Sequence, residues 1–274
     1  MHIRYYKEYS HHLQRDMEFK VYGHAGLPFI VFPCQDGKFF DFENQGMIDL
    51  VADKIEEGKL QLFCVGCVDE ETWSAKDGDH HGRIMWHEQW VKYICGEFLP
   101  RLHQIHAETD PVSYEGKVML TGASMGGYHS VNFYLRFPEL FGGCLSLSGL
   151  FHAGYFFGQY SDINIYYNSP NDFMRNMPAD HPLVEQYRKG RIIICCGQGA
   201  WEDDAKADAR GLKHEFERLD VPAWVDLWGE DVTRVSLASL RPRRTGLPAN
   251  RGGVDQIPTH QASPLLTVPH RPVP

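Results

Sequence analysis

Lys117–Phe137 reads KVMLTGASMGGYHSVNFYLRF. It opens with an apolar β-type run, Val118-Met119-Leu120, and turns through Gly122-Ala123-Ser124-Met125-Gly126-Gly127. It then continues with helical spacing at Tyr128, Val131, Tyr134 and Leu135. A strand, a Gly-x-Ser-x-Gly turn and a helix form the setting in which a serine is held on a strained strand-to-helix bend. Glycines on either side of Ser124 remove Cβ atoms that would collide in so tight a turn. Ser124 is therefore the candidate nucleophile. The N–H of Met125, at the helix start, can point at an oxyanion developing on a carbonyl bound to Ser124.

Outward from this stretch, apolar β-like runs alternate with helical patterns. Arg15–Tyr22 alternates polar and apolar residues and is expected to form an exposed edge strand. Pro28–Pro33 is a short continuous apolar run of the kind found in central parallel strands. Gly46–Glu57 sets Met47, Leu50, Val51 and Ile55 on one helical face, with Gly58 as the stop. Leu60–Val65 is the next strand, and Gly82–His106 reads as one long amphipathic helix that Pro100 kinks or ends. Beyond the central stretch, Gly142–Ser148 and Arg191–Cys196 are strands, Trp201–Leu219 is helical, and Pro222–Trp228 is a last strand. Residues 149–190 are dense in aromatics and are expected to form a lid or pocket wall. Such alternation implies an α/β fold, a mostly parallel sheet covered by helices on both faces. No internal repeat is visible.

The chain has 274 residues, 43% hydrophobic and 13% aromatic, enough for one large α/β domain or two small ones. A net charge of −9 and a pI near 5.9 argue against nucleic acid and anionic membranes as partners. No apolar run reaches the length of a membrane span. The N-terminus, MHIRYYKEYSHH, lacks the apolar centre of a secretory signal. Seven cysteines, several within apolar runs, read as reduced core thiols, and a cytoplasmic location is expected. His80, His81 and His87, with Asp79 and Glu88, have no tight ligand spacing, so no metal is expected.

Past Asp231 the composition changes abruptly. Residues 232–274 contain no aromatic Phe, Trp or Tyr, seven Pro, six Arg and one acid, Asp255. Such a segment buries too little apolar surface to offset its ordering entropy. The sequence therefore divides into an α/β domain over 1–231, with the lid at about 149–190, and a tail over 232–274 expected to be disordered.

A serine hydroxyl needs a histidine to take its proton, and that histidine needs a carboxylate to orient it. On this type of sheet the chain order is Ser, then Asp or Glu, then His. After Arg191–Cys196 comes Gly197-Gln198-Gly199-Ala200-Trp201-Glu202-Asp203-Asp204. Glu202 is the first candidate acid and Asp203 the second; Asp204 reads as a solvated first-turn residue. The histidine is expected just after Trp228-Gly229-Glu230-Asp231, where there is none. His260 and His270, in the tail, are the downstream candidates for the base.

These residues together resemble the putative-esterase family of α/β-hydrolases, the esterase D-like serine esterases, and within it a group of small bacterial esterases. The matching stretches are Asp16-Met17-Glu18, Tyr22–Gly26, Val31-Phe32-Pro33, Gly122–Gly126, Leu147–Leu150, Tyr167–Pro170, Gly197–Glu202 and Trp228-Gly229. The resemblance implies an α/β-hydrolase fold and a cofactor-free serine carboxylesterase. Its site residues would be Ser124 as nucleophile, Glu202 as acid, and an oxyanion hole made by the N–H groups of Met125 and a residue near Gln35. The expected partner is a small-molecule ester, with oligomeric state left open. An impaired hydrolase that only binds a ligand, and an acyltransferase using the same serine, are the alternatives. The group carries a segment resembling Trp-Gly-x-Asp-Val-x-His-Asp-Trp-Pro after its last strand. Here Arg234 stands where the histidine is expected, and Leu237–Arg241 can be encoded so that the next frame spells Trp-Pro-Arg-Tyr-Val. The tail is accordingly read as a frameshifted C-terminus, which sequencing of the gene tests.

Overall fold

The chain begins with an antiparallel hairpin, Ile3–Ser10 (β1) and Arg15–Tyr22 (β2), in a computed structural model that describes residues 1–110, 116–199 and 202–228. Six further strands complete one sheet: Leu27–Phe32 (β3), Leu60–Val65 (β4), Val118–Ala123 (β5), Phe141–Leu147 (β6), Arg191–Cys196 (β7) and Ala223–Leu227 (β8). Their spatial order is β1-β2-β4-β3-β5-β6-β7-β8. β2 meets β4 antiparallel, and every pairing from β4 through β8 is parallel. The expected edge strand, Arg15–Tyr22, lies inside the sheet. The true edge is β1, whose residues alternate between exposed and half-buried and whose Tyr5 and Tyr9 rings face water.

β4 and β5 are buried along their whole length, the mark of strands covered on both faces. One face packs against Asp41–Asn44 (α1), Met47–Leu50 (α2) and Ala52–Glu56 (α3), with Phe42, Ile48 and Ile55 against Val31, Leu62 and Cys64. The single helix expected over 46–57 is thus two short ones broken at Val51, and Leu50 turns outward. The other face carries the larger core, built on His80–Tyr93 (α4), Leu99–Thr109 (α5), Met125–Arg136 (α6) and Asp203–Arg218 (α11). The long helix expected over 82–106 is interrupted by a π-turn at Ile94–Phe98, and Pro100 lies in the first turn of α5, where it needs no N–H partner.

Residues 149–190 form four short helices, Gly154–Phe157 (α7), Ile163–Tyr167 (α8), Pro170–Arg175 (α9) and Pro182–Lys189 (α10). Tyr155 and Tyr167 are exposed, but other aromatic side chains of the segment pack inward. Phe156, Phe157 and Ile165 pack with Trp73, Ile84, Met125 and Tyr128 in one cluster beside the start of α6. The tail expectation falls on residues outside the described ones.

Candidate active site

β5 ends at Ala123 and α6 begins at Met125, so the whole change of direction falls on Ser124. Its backbone sits at φ 55 and ψ −118, a region that a side chain enters only under strain. Two things hold it there. The Ser124 N–H donates to the Leu147 carbonyl at 2.8 Å, tying the bend to the end of β6. The flanking glycines allow the bend to press on β3: a Cβ on Gly122 would stand 2.6 Å from the Phe32 oxygen, and one on Gly126 would strike both the Phe32 and Pro33 oxygens, the latter at 2.6 Å. Ser124 is half-buried, and the Met125 N–H, as the first of the helix, has no intrahelical acceptor.

The same close approach brings the start of α6 against the segment that leaves β3. In that segment the Cys34 N–H donates to Asp41 Oδ2 at 3.0 Å and the Gly37 N–H closes a turn onto the Cys34 oxygen at 2.9 Å. Asp36 is left-handed at φ 61. Gln35 sits between them, exposed, its side-chain amide donating to Ser74 Oγ at 2.6 Å.

The two candidate acids part company. Glu202 is completely buried at the start of α11, with one carboxylate oxygen 3.6 Å from the Cys196 thiol, at the C-terminal end of β7. Asp203 has its side chain 91% exposed and pairs with Lys206 at 2.7 Å, which holds its carboxyl below the usual aspartate range. Asp204 is exposed. Gly229–Asp231, His260 and His270 lie outside the described residues, and among the described residues no histidine hydrogen-bonds Ser124.

Behind the bend lies a buried polar network that the sequence pattern did not expose. His129, on α6, meets the carboxylate of Asp69 at 3.1 Å, both fully buried. His87, on α4, accepts from Trp73 Nε1 at 3.0 Å and donates through Nε2 to Asn168 Oδ1 at 3.2 Å. Burial, then the neighbouring His129, pushes its pKa well below the ordinary histidine value, so the ring is neutral. Asn168 Oδ1 also receives Asn132 Nδ2 and Arg136 Nη1, each at 2.7 Å, and Arg136 forms a two-point pair with Glu88. The Tyr128 hydroxyl donates to the Asn168 carbonyl. His87 thus builds the interior, whereas His81 is exposed and meets Asp162 at 3.2 Å; no cluster able to hold a metal occurs among the described residues. A cavity of about 330 Å³ lies at the far end of α6, between Leu135, Phe137, Tyr166, Phe173 and Tyr187, remote from Ser124.

A mostly parallel eight-stranded sheet flanked by helices, with a serine on the strained bend after a central strand, is an α/β-hydrolase fold. Residues 10–218 match the family described as Putative esterase, and the chain belongs to that family, which makes it an ester hydrolase in general class. No curated protein matches it. Among solved structures it is similar to a ferulic acid esterase (12% identity, 87% of this chain and 93% of that one, TM-score 0.64). It is also similar to FphF, a fluorophosphonate-binding serine hydrolase of Staphylococcus aureus (16%, 84% and 92%, 0.59). A third is an S-formylglutathione hydrolase from Agrobacterium tumefaciens (13%, 86% and 90%, 0.60). At these identities the likeness is one of fold. Among the described residues no helix is long and apolar enough to cross a membrane.

Proposed function

We propose that this chain is a serine carboxylesterase acting on small acyl or aryl esters. Ser124 Oγ attacks the ester carbonyl, the alcohol leaves with a proton, and water then releases the acyl group from the serine. The Met125 and Gln35 N–H groups receive the oxyanion, and Glu202 is the acid that orients the base. The reaction needs no cofactor. One observation carries the reading: the strained φ of Ser124, on a bend pressed closely against the end of β3, the strand that leads into the loop of Gln35.

The proposed base is a histidine of residues 229–274, His260 or His270. Without it, a hydrolase that has lost one triad member still keeps roughly 10³–10⁴-fold acceleration over water from the oxyanion hole and binding. The test is p-nitrophenyl acetate hydrolysis by wild type and Ser124→Ala, with fluorophosphonate labelling mapped by mass spectrometry. Loss of turnover in the variant and a label on Ser124 support the esterase. Equal rates favour a binding protein with a hydrolase fold, the second reading, which the lack of a histidine just after Trp228-Gly229-Glu230-Asp231 in the sequence motivates. His260→Ala and His270→Ala identify the base: whichever lowers the rate supplies it, and if neither does, the turnover is the residual rate.

A further inference from the structure

We propose that Ser74 is a positioning residue that locks the backbone donor of Gln35 in place for the oxyanion. The inference rests on the esterase reading and goes beyond it to a residue 39 positions from Gln35 and 50 from Ser124.

The loop Cys34–Gly37 has to hold one N–H in a fixed direction, because a donor a few tenths of an ångström astray loses much of its effect on developing charge. Its own internal restraint is slight: one turn bond from the Gly37 N–H to the Cys34 oxygen at 2.9 Å. It also carries an internal cost, since Asp36 is left-handed at φ 61, a conformation that must be over-determined from outside to persist. From outside, Asp41 Oδ2 accepts from the Cys34 N–H at 3.0 Å and the Cys67 thiol donates to the Gly37 oxygen at 3.3 Å, at the two ends of the loop; at its middle, on Gln35 and Asp36, the outside restraint is Ser74. Its hydroxyl donates to Asp36 Oδ1 at 2.6 Å and accepts from Gln35 Nε2 at 2.6 Å, so one oxygen grips both residues on either side of the peptide between them.

Ser74 is itself on firm ground. Thr72 and Trp73, directly before it, are fully buried. The Thr72 hydroxyl donates to the Val68 oxygen at 2.9 Å and the Trp73 indole to His87 at 3.0 Å. Arg83, inserted from α4, donates to the Thr72 oxygen at 2.6 Å and the Trp73 oxygen at 3.1 Å. Asp69, at the other end of the segment, is paired with His129 of α6. The platform that holds Ser74 is thus fastened to α6, the helix that begins just after Ser124, and the hydroxyl relays that rigidity to the loop of Gln35. A serine half-buried at a loop surface has no packing reason to make two such short bonds; holding the loop is what they accomplish.

The experiment compares wild type, Ser74→Ala, Ser74→Thr and Ser74→Cys, with Ser124→Ala as the reference for lost chemistry. Measured are kcat and KM for p-nitrophenyl acetate, the second-order rate of fluorophosphonate labelling at Ser124, and the urea midpoint. Expected for Ser74→Ala is a fall of about 10- to 100-fold in kcat and in labelling rate, with KM within threefold, because a misplaced donor costs somewhat less than the 10²–10³ of a deleted one. Threonine, which keeps the hydroxyl, restores both within about threefold; cysteine, of similar size with a weak donor, stays low. A role in folding alone would lower the urea midpoint and leave kcat and labelling of the folded protein untouched, and that result overturns the proposal. So does a threonine variant as slow as alanine. If Ser74→Ala does not fold, the cysteine and threonine pair carries the same comparison. Should Ser124→Ala turn over like wild type and Ser124 take no label, the esterase reading itself fails, a result distinct from an unaltered Ser74→Ala in an enzyme that needs Ser124.

Discussion

Gly126 faces two carbonyl oxygens, and a methyl group placed there has nowhere to go, because both are backbone: Phe32, the last residue of the central strand β3, and Pro33 just after it. Gly126→Ala is expected to lower stability by about 2 kcal/mol or more in urea unfolding and to abolish fluorophosphonate labelling, since relieving the clash means moving the Ser124 bend. Gly154, in α7, is the contrast: nothing lies within 4 Å of its Cβ position, and Gly154→Ala should leave labelling unchanged and stabilise by up to about 1 kcal/mol. The two acids make a second pair. Glu202→Gln is expected to lower kcat by at least about 100-fold if its carboxylate orients the base. Asp203→Asn, far out in solvent beside Lys206, should remain within twofold, as steady-state kinetics would show. At this scale much was legible. Ser124 announced itself through glycines next to it in sequence, and Glu202 and Asp203 through their distance from a strand. What separated those two acids was burial, which first-turn residues of one helix do not reveal. Ser74 gave no signal, because both of its partners come from a loop 38 and 39 positions earlier and nothing in ETWSAKDG marks the serine.

Among the elements, the aromatic segment over 149–190 behaves less like a hinged flap than like a cover riveted down at Asn168. That one side chain satisfies donors from α4 and α6 at once, and its backbone oxygen takes the Tyr128 hydroxyl. Asn168→Ala would strand His87 Nε2, Asn132 Nδ2 and part of Arg136 in the interior, at a cost of about 3 kcal/mol readable as a lowered urea midpoint. Amide hydrogen exchange should then quicken in α8 and α9 before it does in β5. The strands were legible almost to the residue, because short apolar runs bounded by turn residues leave little choice. Helices were less so. The Gly46–Glu57 pattern fits one amphipathic face, yet the chain breaks at Val51 and turns Leu50 to solvent. The break between α4 and α5 falls at Ile94–Phe98 rather than at Pro100, since a proline in a first turn is harmless and a π-turn has no sequence mark. β1 escaped notice because an edge strand with alternating charges and tyrosines looks like a surface loop.

For the whole molecule, the buried histidines set the response to acid. His87 and His106 are both held below the ordinary value by burial, so under about pH 6.5 the unfolded chain binds protons that the folded chain refuses. Stability therefore falls as pH drops through that value, by at most about 1.4 kcal/mol per pH unit for each histidine. His152 works in the opposite sense. Its bond to the buried Asp208 carboxylate at 2.8 Å raises it, so its contribution is complete below the unfolded value and is lost as pH rises through the folded one. The urea midpoint is expected to decline from pH 7.5 to 5.5. His87→Gln should flatten the decline and His152→Gln should steepen it; the reverse pattern would refute the assignment.

The cysteines bear on how such an enzyme would be classified at the bench. No disulfide joins any of the seven; burial pushes Cys195 and Cys95 up to about 12, and Cys64, Cys67 and Cys144 further still. Cys34 alone is both half-buried and adjacent to Gln35, its sulfur 3.2 Å from the Gln45 amide. A maleimide or iodoacetamide adduct at that sulfur would wedge apart the turn that carries the proposed Gln35 donor. Inhibitor profiling would then report a thiol-dependent hydrolase, although the proposed nucleophile is a serine.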